Sequence, residues 1–192
     1  MSRPVILVHG IWDSSKTMSH LATSLKKAGK DVYSIDLYPS SGRVSIKVLA
    51  KQLKDFIDDN GFDNVDIVSF SMGDIVSKYY LLHLEGYKKV SHYVSISTPH
   101  KGTLAGFFLP FIVGKELRPQ SLLMKELEDT SILHGVKCLS IWTPYDLMII
   151  PAKSSVISFG ENIKARALLH PLMLKDKKVI SDVIHFIANS SI

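Results

Sequence analysis

The chain alternates short runs that are apolar throughout with longer segments whose apolar residues recur every three or four positions. Val5–Val8 and Val65–Phe70 are two of the short runs, and residues 32–37, 90–97 and 136–142 are three more. A strand with one wet face would alternate polar and apolar residues, so these runs predict strands covered on both faces. Residues 163–168 complete the set as a last strand.

Between the strands lie helical patterns. Met18, Leu21, Ala22 and Leu25 share one face of a helix that Ser14-Ser15 can cap and Gly29 ends. Ile46, Leu49, Leu53, Phe56 and Ile57 do the same in a helix closed near Asn60-Gly61. A third helix leaves Ser71-Met72-Gly73 and runs to about Leu84, and Ile180, Val183, Ile184 and Ile187 mark the last. Parallel strands need crossovers, and helices supply them. The expectation is an α/β fold with three layers, a doubly wound, mostly parallel sheet of about six strands.

The 192 residues suit one domain over 1–192, with an apolar insertion or small flap around 99–135. Apolar residues make up 46% of the chain and charged residues 21%, which excludes a disordered polypeptide. No apolar stretch reaches the length of a membrane span, and the N-terminal run ends at His9, too short for a secretory signal. A cytoplasmic address is expected. Cys138 lies in an apolar run and reads as packing.

The formal net charge of +5 favours anionic surfaces, phospholipid headgroups included, although the lysine clusters read first as solvated helix faces. No basic stripe with interleaved aromatics supports nucleic-acid binding, no metal-ligand spacing is visible, and no cofactor is expected.

In an open parallel sheet, ligands bind beyond the carboxyl ends of the strands. Ser71 follows the run 65–70 directly and precedes a helix, so its backbone is forced into a sharp turn that lifts the hydroxyl clear of the sheet. Small residues two before and two after, Ser69 and Gly73, keep strand and helix apart. The Met72 N–H at the helix start is one candidate oxyanion donor, and the Ile11 N–H in His9-Gly10-Ile11 is the other. His9 reads as a residue that holds that loop, and Asp74 as an acid favoured by the helix dipole.

A serine hydroxyl needs a base. Of eight histidines, His170 alone falls between the last strand and the final helix. Asp146 is the acid at the end of the strand before it and would orient the imidazole. Asp36 and Asp66 lie on earlier strands and read as structural.

With these residues in place, the chain resembles the small lidless bacterial triacylglycerol lipases and related carboxylesterases of the α/β-hydrolase fold. The resemblance rests on residues 4–11, 65–73, 97–103, 140–146 and 162–170. It departs at Ser69, Phe70 and Asp74, where the family usually has Gly or Ala, His, and Gly. It implies lipase or esterase activity, a triad of Ser71, Asp146 and His170, and an oxyanion hole from Ile11 and Met72.

The expected function is hydrolysis of carboxylic esters through an acyl-enzyme, with a small acyl ester or lipid as substrate. A thioesterase or acyltransferase using the same triad is the alternative, and a non-catalytic binding protein is the reading from another class. Phe70, Phe107 and Phe108 are the candidate acyl-contact side chains. The run 104–113 could form an acyl-binding wall in transient contact with a membrane surface, or a helix packed as ordinary core.

Overall fold

The computed structural model describes residues 3–188. Among these, six strands form one sheet: β1 (Val5–Val8), β2 (Val32–Ile35), β3 (Val65–Phe70), β4 (Val90–Ile96), β5 (Lys137–Trp142) and β6 (Glu161–Lys164). The spatial order is β2-β1-β3-β4-β5-β6, and every neighbouring pair is parallel. The helices are α1 (Ser19–Lys27), α2 (Ile46–Asp59), α3 (Met72–His83), α4 (Phe111–Glu116), α5 (Leu122–Glu126) and α6 (Lys177–Ala188). This is the minimal α/β-hydrolase architecture.

Two cores explain the runs without alternation. Successive side chains of a strand point to opposite faces. Ile6, Val8 and Ile67 therefore meet Leu49, Leu53 and Ile75 from α2 and α3 on one side. Val5, Leu7 and Val68 meet Leu21, Leu25, Val179 and Val183 from α1 and α6 on the other. Both faces are dry, so both sets must be apolar.

Two expectations shift. The last strand ends at Lys164, because pairing with β5 closes at Trp142 and Ala165 N donates to the Trp142 carbonyl. Residues 165–169 leave the sheet with Ala165 and Ala167 buried but Leu168 and Leu169 exposed. That run therefore does not belong to the sheet. Likewise, the chain before α1 is a 3-10 turn, and no side-chain cap bond comes from Ser14. Asp36, just past β2, accepts from the Ser15 N–H and hydroxyl instead.

Strand order turns around at β1, which lies between β2 and β3. Connections leave β1 and β3 in opposite directions, and the crevice between them is the place where open α/β sheets bind ligands.

Candidate active site

β3 passes into α3 through one residue, Ser71, at φ 55° and ψ −125°. A side chain at positive φ outside the left-handed well is strained, by about 1–3 kcal/mol. Ser71 N donates to the Ile96 carbonyl at 3.0 Å, which holds the bend against β4. Gly73 is required: a Cβ there would sit 2.0 Å from the His9 carbonyl oxygen. α3 therefore touches the loop after β1 backbone to backbone. A Cβ on Gly10 would come within 3.3 Å of the Ser71 Cβ, so that loop passes directly beside the serine.

His9 holds it there. Its Nδ1 lies 2.8 Å from the Gly10 carbonyl, and its Nε2 accepts from the Leu37 N–H at 3.0 Å. Ile11 thus belongs to a loop fixed at the crevice, and Met72 opens α3, where its N–H precedes the first helical hydrogen bond, from Asp74 N to the Ser71 carbonyl. Ser69 fits because its hydroxyl is spent on the helix: Ser69 Oγ lies 2.8 Å from Ser77 Oγ, which donates to the Gly73 carbonyl.

Asp146 and His170 come together although 24 residues separate them, with His170 Nδ1 2.7 Å from Asp146 Oδ2. The other carboxylate oxygen accepts from the N–H groups of Met148 and Ile149 at 2.9 and 3.0 Å. Burial opposes charge on Asp146, but the His170 hydrogen bond and charge, with these two N–H groups, hold its carboxyl below the usual range. A carboxylate that accepts from Nδ1–H leaves Nε2 as the basic nitrogen. The two loops are tied together by Thr143, whose hydroxyl donates to the Ala167 carbonyl at 2.6 Å.

Phe70, the residue before the serine, is buried, and its ring lies 4.6 Å from that of His170, centroid to centroid. It packs against the imidazole. Phe107 and Phe108 are exposed, the latter 90%, on the connection between β4 and α4. The run 104–113 is therefore not packed as core along its length, although Gly106 and Val113 are buried.

One polar cluster has no forerunner in the sequence pattern. Asp74 is fully buried, and Tyr93 donates to its Oδ2 at 2.7 Å. Burial pushes its carboxyl up to about 8, against hydrogen bonds from Tyr93 and Thr98 and the charge of Lys78. The dipole argument for a charged Asp74 fails here because desolvation exceeds it. Burial likewise brings the Lys78 ammonium down to about 8. His100 Nε2 lies 2.9 Å from Ser95 Oγ and 3.7 Å from Asp74 Oδ2. Among the described residues, Asp74 Oδ1, Ser97 Oγ and His100 Nδ1 are buried without a hydrogen-bond partner. The aspartate and the histidine sit where the residue type alone gives no sign of burial.

Cys138 is buried, and burial raises its thiol to about 12, so it is inert. Among the described residues no group of three or more His, Cys, Asp or Glu side chains is placed to hold a metal ion.

The model of the family described as palmitoyl protein thioesterase matches residues 4–145. Lysosomal thioesterase PPT2 from Mus musculus is 30% identical over 108 residues, which cover 52% of this chain and 35% of that protein. The corresponding protein from Bos taurus is 31% identical over 108 residues, 52% of this chain and 34% of that one. The chain spans about a third of the length of the curated relatives it matches. Among solved structures, Aspergillus fumigatus lipase B superposes with a TM-score of 0.85 at 17% identity, covering 98% of this chain and 53% of that chain. The mature Bacillus licheniformis lipase BlEst2 gives 0.78 at 18% identity, with 97% and 92% covered. At such identities these structures speak for the fold alone.

Proposed function

The chain belongs to the palmitoyl protein thioesterase family of α/β hydrolases, and from that premise we propose that it is a serine hydrolase of acyl thioesters and esters. Ser71 attacks the acyl carbonyl while His170 Nε2 takes its proton. Asp146 holds the ring tautomer and stabilises the imidazolium. The Ile11 and Met72 N–H groups stabilise the oxyanion. His170 then protonates the leaving thiolate or alkoxide, and water repeats the sequence to release the acid. The observation that carries the reading is the 2.7 Å Asp146–His170 hydrogen bond at the same sheet edge as the strained serine.

The leaving group is a separate matter. The sequence favoured a carboxylic ester, as in the lipases whose fold the chain shares. The family match moves the thioester to the front, since the same acyl-enzyme serves both. A fluorophosphonate should label the wild type at Ser71 and leave Ser71→Ala unlabelled. Acyl thioesters and p-nitrophenyl esters of matched chain length, compared by kcat/KM, then rank the leaving groups. Labelling that persists in Ser71→Ala would discard the proposal. The proposal keeps a cytoplasmic address, while the named relatives are lysosomal thioesterases; fractionation of cells expressing the tagged chain decides between the two.

A further inference from the structure

In an all-parallel sheet every strand delivers its following loop to one edge, so the loops after β1, β2, β4, β5 and β6 rise together around Ser71. That edge is unlike the rest of the surface. Of the 17 large apolar side chains exposed among the described residues, 14 lie in those loops. They include Tyr38 at 80%, Phe108 at 90%, Leu147 at 70% and Leu168 at 65%. Exposed single apolar residues are ordinary, but a set gathered on one rim marks a surface made to be covered.

The charges on the rim say by what. Residues 9–18, 36–45, 97–121, 143–156 and 165–175 carry eight Lys and Arg against four Asp and Glu. All four acids are engaged within the chain. Asp13 accepts from Thr17, Asp36 from Ser15, Glu116 from Ser45 and Ile46, and Asp146 from His170. Three of the cations lie beside apolar side chains of the rim, Arg118 also donating from Nε to the Gly106 carbonyl. Arg43 lies 4.8 Å above the Phe111 ring, Arg118 lies 4.7 Å above that of Phe107, and Arg166 borders the same hollow as Tyr145 and Leu168. Aromatic rings beside guanidinium groups suit the boundary between headgroups and acyl chains, where the ring enters and the cation stays with the phosphate.

We infer that this rim docks the protein, carboxyl edge down, onto an anionic phospholipid surface. No helix among the described residues is long and apolar enough to cross a membrane, so the attachment is peripheral. Its consequence for catalysis rests on the proposed acyl hydrolysis: Ser71 would face the layer that holds acyl chains. The surface itself stands on exposure and charge alone.

Sedimentation with vesicles tests it, using phosphatidylcholine alone and phosphatidylcholine mixed with phosphatidylserine. The full chain should bind the mixed vesicles more tightly than the neutral ones, and raising salt from about 0.1 M to about 1 M should release it. Tyr38 and Leu168 follow β2 and β6, the two edge strands, so Tyr38→Ser with Leu168→Ser cuts both ends of the rim. That variant should bind about tenfold more weakly or worse, with turnover of soluble p-nitrophenyl acetate unchanged. Arg43→Gln with Arg166→Gln should lose the preference for phosphatidylserine. Ser71→Ala should bind vesicles like the wild type, which separates this inference from the hydrolysis reading. Equal binding to both vesicle types, undiminished binding of the Tyr38/Leu168 variant, or concentration-dependent dimerisation that this variant abolishes would each overturn it.

Discussion

Two aspartate–histidine pairs in this molecule have the same hydrogen bond and opposite meanings. His170 Nδ1 lies 2.7 Å from Asp146, and His92 Nδ1 lies 2.7 Å from Asp66, with all four side chains buried. Asp66 and His92 are register partners within β3 and β4, and their carboxylate is shared with Arg3, whose Nε donates at 3.1 Å. That pair is a clasp inside the sheet. Asp146 and His170 have left the sheet, and their neighbour is the bend that holds Ser71. In the proposed mechanism the Asp146–His170 contact does chemistry because of where it stands, not because of its length.

The largest effects should separate the two pairs. Ser71→Ala and His170→Ala are each expected to lower kcat by roughly 10⁵–10⁶, with the double variant no worse than either single one, because the groups act as a unit. Asp146→Asn should lower kcat on the order of 10⁴-fold by releasing the ring tautomer. Asp66→Asn should leave kcat within about twofold of wild type while lowering stability by about 1–3 kcal/mol, read by urea unfolding. A collapse of turnover in Asp66→Asn with the fold intact would erase the distinction drawn above.

A smaller effect concerns the buried cluster below the serine. Asp74 is raised from 3.8 to about 8 in the folded protein, so between these values the folded state holds a proton that the unfolded state releases. Stability therefore falls as pH rises through that window. Lys78 is lowered from 10.5 to about 8, so the unfolded state binds the extra proton above pH 8 and stability recovers toward pH 10.5. Together these two groups contribute least to stability near pH 8. Asp74→Asn, which can still accept from Tyr93, should flatten the acid limb and raise Tm at pH 8 by about 2–4 °C. An unchanged pH profile of Tm would show that Asp74 is not held protonated. Smallest of all, Phe107→Ser with Phe108→Ser should lower kcat/KM for long-chain substrates selectively, by about tenfold. Equal losses on short chains would remove these rings from the acyl path.

Much of this was legible in the sequence because parallel strands buried on both faces cannot hide. Val5–Val8 and Val65–Phe70 carry no polar alternation, and β3 and α3 meet at Ser71 where the pattern changes period. The pairing of Asp146 with His170 was legible from the places of the two residues after the last two strands. What the sequence concealed has two physical causes. Residues 165–168 continue past β6 with Ala165 and Ala167 buried and Leu168 exposed, and periodicity cannot tell such a loop from the end of a buried strand. Asp74 follows Gly73 in a helix start, and residue type cannot report that Tyr93, from β4, closes over it.

The central claim is that Asp146 and His170 serve the Ser71 hydroxyl in line, while the Ile11 and Met72 N–H groups face the oxygen of the carbonyl that Ser71 attacks. A crystal structure of the covalent phosphonate adduct measures this directly. The account predicts phosphorus on Ser71 Oγ, its unesterified oxygen accepting from the Ile11 and Met72 N–H groups, and His170 Nε2 within hydrogen-bonding distance of the serine or leaving-group oxygen. An adduct on another residue, or on Ser71 with the imidazole turned away and that oxygen held by water alone, would contradict it.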